Sequence, residues 1–273
     1  MTTPTLKINT ESAHTDADRT PHQLSQSSAQ VVEFPSLATP CCDCISRERC
    51  PVSRLMAADN GRQTSALIAG MESLSQGEHL FRESDRAEAL YVVKTGSAKV
   101  YFTSADGSEQ VVAFCMPGDV LGLDALGVER HASSALALES TSACVIPVTA
   151  LEEACANISA SGWYHCLYKL LSKELIRDHR TMELINKKDA DAKMASFLVN
   201  LSSQFKERGY SASSFNLSMK RSEIGSHLGL AVETVSRILT RFQDEGLLSV
   251  ERRRVQIFDH RALEAVAGCR SPD

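Results

Sequence analysis

With 273 residues, 43% of them hydrophobic, the chain can bury two modest cores and has the composition of an ordinary soluble protein. Nothing in it approaches the run of about 18 apolar residues that spans a membrane, and no apolar stretch follows the N-terminus, so the expectation is a cytoplasmic protein with no membrane partner. The formal net charge is −5, yet between Lys206 and Arg254 nine Lys and Arg stand against six Asp and Glu, a local +3 that permits nucleic acid at that end.

Residues 1 to 40 are rich in Ser, Thr, Gln and Pro and lack apolar periodicity, which predicts a disordered tail. Nine cysteines in a cytosolic chain seldom mean disulfides, so their spacing carries the information. Cys41, Cys44 and Cys50 form C-x2-C-x5-C, in which the first pair can grip one metal from a tight loop while the third closes the site. Thiolates gathered this way are ligands for soft metals, meaning zinc or an iron–sulfur cluster. Structural zinc sites use two paired ligand motifs, and no second pair is present, so a cluster is the preferred reading. Its fourth ligand must come from Cys42, Cys115, Cys144, Cys155, Cys166 or Cys269; Cys42 would crowd Cys41 beside it.

From Leu74 to Val148 the pattern turns to short β-rich runs: Ala89–Val93, Ala98–Phe102, Gln110–Phe114 and Ala143–Ile146. Gly77, Gly96, Gly107 and Gly118 punctuate them, which predicts an antiparallel roll or barrel. Asp106-Gly107 predicts a type I′ hairpin turn.

Between Trp163 and Lys188 a helix is expected, uninterrupted by Gly or Pro and roughly 39 Å long at about 1.5 Å per residue. Tyr164, Tyr168, Leu171, Leu175, Asp178, Met182 and Ile185 recur at alternating spacings of four and three, the rhythm of a seam between two helices. A carboxylate suits an adjustable dimer contact better than a permanent core, so Leu175, Asp178 and Met182 are the candidate dimer switch.

A second helix is expected over Ala190–Ser203, then a loop and short strand over Ser211–Leu217. Met219–Gln243 reads as a helix-turn-helix: Ile224 and Leu228 on the first helix, Gly229 at the turn, and Val235, Ile238, Leu239 and Phe242 on the second. A wing-like hairpin, Leu247–Ile257, follows. Glu233, Ser236 and Arg237 lie near the start of the second helix, opposite its apolar side, where a recognition helix enters the major groove of double-stranded DNA. Arg suits guanine, Glu the cytosine amino group, and Ser either. Arg221, Arg252, Arg253 and Arg254 are better placed for phosphates.

Cys41-Cys-Asp-Cys44 with Cys50, Pro117-Gly-Asp-Val-Leu-Gly-Leu-Asp-Ala125, Ala137-Leu-Glu139 leading to Cys144-Val-Ile-Pro147, and Gly229-Leu-Ala-Val-Glu-Thr-Val-Ser-Arg237 together resemble the FNR branch of the CRP/FNR transcription regulators. The resemblance runs from residue 41 to 268 and implies an α+β fold: a cyclic-nucleotide-binding-like β-roll with the cluster loop (41–160), a dimerisation helix (161–188) and a winged helix-turn-helix (189–268). It implies Cys144 as fourth ligand of a [4Fe-4S] cluster with Cys41, Cys44 and Cys50. The cluster would hold a homodimer together, oxygen would release it from TTGAT-like sites read by Glu233, Ser236 and Arg237, and RNA polymerase would be the partner of the switch to anaerobic metabolism.

This chain also departs from the family pattern. Members that bind cyclic AMP carry Gly-Glu-Leu and Arg-Ser-Ala in the phosphate cassette, against Gly122-Leu-Asp124 and Ser133-Ser-Ala135 here, so no cyclic nucleotide is expected. Arg47, Glu48 and Arg49 give the cysteine loop an unusually charged surround, and Ser108 stands where an acidic residue often contacts the polymerase. Two rival readings are an iron–sulfur enzyme, for which the eight His form no acid–base constellation, and a zinc-stabilised or thiol-switched regulator.

Overall fold

The computed structural model describes residues 44, 47–51, 53, 67–157 and 160–268. The N-terminal tail, Cys41, Cys42 and Cys269 lie outside these residues, as do the side chains of Cys155, Tyr164 and Cys166.

Among the described residues eight strands build the first half: β1 (Gly70–Leu74), β2 (His79–Phe81), β3 (Ala89–Thr95), β4 (Ala98–Thr103), β5 (Glu109–Cys115), β6 (Val120–Leu121), β7 (Ser134–Ala137) and β8 (Thr141–Pro147). They pair antiparallel in two four-stranded sheets, ordered β1-β8-β3-β6 and β2-β7-β4-β5, so the predicted roll is correct. Alternation explains the layering. Leu74, Leu80, Val93, Ala98, Leu121 and Ala143 point into one cluster between the sheets, while Ile68, Leu90, Val92, Val120, Cys144 and Ile146 form another on the outer side of β3 and β8.

The hairpin turn after β4 differs from its prediction. Type I′ needs positive φ at both central residues, and here Gly107 (φ 83°) has it while Asp106 does not. Instead Gly107 N–H bonds Ser104 O (2.8 Å) and Ser104 N–H bonds Ser108 O (2.9 Å), a five-residue loop. Asp106 Oδ1 accepts from both the amide (2.9 Å) and the hydroxyl (2.7 Å) of Ser108, a local bond that competes with the tighter turn.

Six helices and three strands follow: α1 (Val148–Asn157), α2 (Ala160–Ile185), α3 (Ala190–Glu207), β9 (Ser214–Asn216), α4 (Arg221–Leu228), α5 (Val232–Asp244), β10 (Leu248–Glu251), β11 (Arg254–Ile257) and α6 (His260–Val266). The 26 residues of α2 are the expected long helix. It stops before Asp189, whose carboxylate caps α3 by accepting from Asp191 N–H (3.2 Å). Helix α3 runs four residues past its expected end. Strands β10 and β11 are the wing, with β9 added beside β11.

The second core gathers Met194, Leu198 and Leu201 of α3, Ile224 and Leu228 of α4, and Val235, Ile238, Leu239 and Phe242 of α5, all of them buried. Burying a side chain of this size contributes about 1.5–3 kcal/mol. Ile185, the last seam position, packs on this core instead of continuing the seam. Met116 and Leu138 of the roll belong to the same cluster, so the two halves share apolar packing.

Candidate functional site

The helix-turn-helix is built where its apolar spacing placed it. Gly229 closes α4 in the left-handed conformation (φ 64°), and the Leu230 amide bonds the Gly225 carbonyl (2.9 Å). Gly225 is a position the periodicity did not single out. A Cβ there would come within 2.6 Å of the Leu230 carbonyl oxygen, so only glycine lets the turn close this tightly. On α5 the apolar side is buried, and Glu233 and Arg237 are exposed with Ser236 half-buried between them. The Ser236 hydroxyl donates to Val232 O (3.0 Å), which leaves its oxygen able to accept. Arg221, Arg252, Arg253 and Arg254 are also exposed; Arg254 donates to Ser214 Oγ (3.2 Å).

The cysteines divide between two surroundings. Cys144 sits on β8, opposite Met71 and Val92, in the outer cluster of the roll, and half-buried Cys50 packs against that same cluster. Cys44 is half-buried, and its carbonyl accepts from the Arg47 amide (3.0 Å) across a short turn. Cys115 is fully buried between the sheets, where burial pushes its thiol up to about 12, far from a ready thiolate. Among the described residues no three His, Cys, Asp or Glu side chains stand close enough to hold a metal ion.

On α2, Leu175 and Met182 are 56% and 60% exposed, with Tyr168 at 63%, so the expected seam faces away from this protomer's cores. Asp178 is exposed among them. One turn before it, Glu174 has its carboxyl raised by burial, against the pull of Arg177, whose guanidinium it meets at 2.7 Å.

The roll's cassette is filled from within. Asp124 Oδ2 accepts from the Ala132 amide (3.0 Å), the Ser133 amide (3.0 Å) and the Ser133 hydroxyl (2.8 Å). Burial alone would raise this carboxyl, but bonds from His131 and Ser133 hold it below its ordinary value.

Sequence reasoning missed the contact between the halves. Lys99 on β4 is buried and reaches both Glu109 (2.5 Å) and Glu223 of α4 (3.2 Å). Glu223 also caps α4 by accepting from the Lys220 amide (2.7 Å). Ser226 Oγ donates to Glu109 O (2.6 Å) and accepts from Val111 N–H (2.9 Å), and the Gln110 amide nitrogen donates to Ser226 O (2.6 Å). His227 Nδ1 bonds Val111 O (3.2 Å). At the other end Arg208 donates to Pro117 O (3.0 Å) and to Asp119 Oδ2 (2.8 Å), with both side chains nearly buried. The available signals were a lysine inside an apolar strand and an Arg-Gly helix end, neither of which names a partner.

Residues 71–157 match the cyclic nucleotide-binding domain family, and residues 192–266 match the Crp-like helix-turn-helix domain family. The chain is 44% identical to the transcriptional activator protein Anr of Pseudomonas protegens over 195 residues, 71% of this chain and 79% of that protein. It is 34% identical to the fumarate and nitrate reduction regulatory protein of Vibrio cholerae over 240 residues, 88% of this chain and 95% of that one. Among solved structures, FixK2 from Bradyrhizobium japonicum matches with a TM-score of 0.66 and 29% identity, covering 72% of this chain and 96% of that chain.

Proposed function

This chain belongs to the FNR-type branch of the CRP/FNR family of transcription regulators, and we propose that it is an oxygen-sensing regulator in which a cysteine-held [4Fe-4S] cluster controls dimerisation and DNA binding. Its relatives are named as transcriptional activators and as fumarate and nitrate reduction regulators, which supports DNA-binding control of an anaerobic response.

The observation that carries the cluster reading is the packing of Cys50 on the apolar cluster containing Cys144, two thiols separated by a β-roll in sequence and gathered on one of its faces. Cys44 lies half-buried just before Cys50, and Cys41 completes the C-x2-C-x5-C motif. These four would hold the cluster, which when bound would supply an oxygen-labile iron–sulfur core tying the loop to strand β8 through its cysteine ligands. Apolar Ile68, Val92 and Ile146 around Cys144 restrict water at that ligand. Cys115 fits the role less well, because its thiol is enclosed between the sheets with a raised pKa.

Two α2 helices related by a two-fold axis would bury Tyr168, Leu171, Leu175 and Met182 and bring the two Asp178 carboxylates together. The paired recognition helices would then read a TTGAT-like palindrome through Glu233, Ser236 and Arg237, with the exposed arginines on phosphates and RNA polymerase as the protein partner. A cyclic nucleotide has no part in this reading: Asp124 already takes the Ala132 and Ser133 amides and the Ser133 hydroxyl, and a phosphate arriving there would meet a carboxylate.

An anaerobic preparation tests the proposal directly. Brown colour, with iron and sulfide in equal amounts and an absorbance that bleaches in air, is the expected result. A colourless protein carrying zinc sinks it in favour of the zinc-stabilised or thiol-switched regulator.

A further inference from the structure

Resting on the cluster-and-DNA reading above, we propose that Arg49 is a positioning residue that couples the cysteine loop to the orientation of the DNA-binding half within a single protomer. Arg49 Nη2 lies 2.6 Å from Glu207 Oε2, and its Nη1 donates to the Glu207 main-chain carbonyl. Glu207 is the last residue of α3, so one guanidinium binds both a carboxylate and the electron-rich carbonyl end of the first helix of that half. The next residue, Arg208, is the one pinned to Pro117 and Asp119 of the roll.

Three segments therefore meet at one point: the loop that ends in Cys50, the roll turn Pro117-Gly118-Asp119, and the C-terminal end of α3. Gly118 makes the meeting possible. A Cβ there would lie 2.9 Å from the Arg49 Cβ, and its φ of +92° is one that side chains rarely adopt.

The coupling follows from adjacency. Arg49 directly precedes Cys50, and consecutive Cα atoms are about 3.8 Å apart, so a bond that fixes the Cys50 thiolate also fixes the Arg49 backbone. Released from that bond, the loop no longer offers the guanidinium at a set place, and the end of α3 loses one of its ties. In this docked arrangement Glu233 and Arg237 are exposed, so the DNA-binding half can be held against the roll with its reading surface open. Two recognition helices must present themselves about 34–36 Å apart to occupy successive major grooves, so slack at this joint weakens binding even in an intact dimer. Loss of the metal site thus acts on DNA twice, once through the seam and once through Arg49.

A charge-reversal cycle on the full-length, anaerobically purified protein tests this. Arg49→Glu lowers the net charge by two and Glu207→Arg raises it by two, so general attraction to DNA predicts changes of opposite sign. Coupling predicts that each single variant binds a TTGAT-containing duplex about fivefold more weakly, and that the double variant recovers only the side-chain part of that loss, to within about threefold of the parent, because the bond to the residue-207 main-chain carbonyl is not restored. Iron, sulfide and the sedimenting dimer fraction should match the parent in all three, and Glu207→Gln should weaken binding in the same direction if a reversal disturbs folding. Opposite-sign effects, no rescue in the double variant, or an affinity loss that tracks lost iron would overturn the proposal. A parent without iron and sulfide fails earlier, at the cluster reading, and takes this inference down with it.

Discussion

Lys99 and Glu223, one on a roll strand and the other in the first turn of the helix-turn-helix, form an ion pair of 3.2 Å with side chains only 6% and 13% exposed. A pair this deep gains Coulomb energy only against a desolvation penalty, and Glu109 at 2.5 Å supplies the second partner that offsets it. Burial lowers the Lys99 pKa, but its bonds to Glu109 and Glu223 outweigh that and leave it raised. Removing Glu223 alone would leave Lys99 with one partner and α4 without its cap. Glu223→Ala is therefore expected to destabilise the protein by about 2–4 kcal/mol, and Glu223→Gln by less, as read from urea unfolding midpoints.

The cysteine assignment predicts that Cys41, Cys44, Cys50 and Cys144 are each required for iron and sulfide, while Cys42→Ser and Cys115→Ala keep both. Anaerobic purification and chemical assay of the six single variants give the answer. A Cys144 variant with full iron content, or a Cys115 variant without any, removes β8 from the site.

Asp178→Ala is expected to dimerise in air. Two carboxylates about 4 Å apart across the seam repel by roughly 4 kcal/mol at an effective dielectric of 20, an upper bound that rotation and water reduce. Without that repulsion the exposed Leu175 and Met182 can pair even when the metal site is damaged. Sedimentation of the aerobic variant decides; a species as monomeric as the aerobic parent would falsify the role of Asp178.

Arg237→Ala should cost about 1–3 kcal/mol in DNA binding and relax preference at a single guanine. Selection of bound sequences from a randomised pool reads both effects. If the preferred base is unchanged, Arg237 touches phosphate or solvent instead.

His227 predicts a pH dependence of the docked state. Burial pulls its imidazole below the ordinary 6.5, with the Val111 carbonyl acting the other way and Arg177 adding to the lowering. The bond to Val111 needs only the neutral ring. Once exposed, the ring takes up a proton near 6.5, whereas docked it resists doing so. Its contribution is therefore complete above 6.5 and lost as pH falls through the lower docked value, by at most about 1.4 kcal/mol per pH unit. Thermal unfolding between about pH 7.5 and 5.5 should show this slope in the parent and a flatter one in His227→Asn. Equal slopes would assign the dependence to another group.

Much of the fold could be read from spacing because its two periodicities are clean. Ile224, Leu228, Val235, Ile238, Leu239 and Phe242 fall on helical faces that a single core buries, and the roll strands alternate between two layers. Asp106-Gly107 misled because its side chain found a local bond to Ser108 that the dipeptide rule does not weigh. Ile185 carried the seam rhythm yet turned onto the second core, since a helix joining two halves must satisfy both. The junction through Arg49, Lys99, Arg208 and His227 was not legible at all. Its partners are 89 to 158 residues apart for Arg208 and Arg49, and no periodicity links charges across such distances.

Strand β5 ends the β2-β7-β4-β5 sheet, so among the described residues one of its sides has no neighbouring strand. That side is where α4 lies: Ser226 takes the Val111 amide and the Glu109 carbonyl, and His227 takes the Val111 carbonyl. A bare strand edge is a template on which a second chain can add its own strand, and natural proteins cover such edges. Here the cover is a piece of the DNA reader. Any swing that lifts α4 away therefore uncovers Glu109–Cys115, a β-rich stretch containing Val-Val-Ala-Phe, and opens a route to strand-to-strand aggregation.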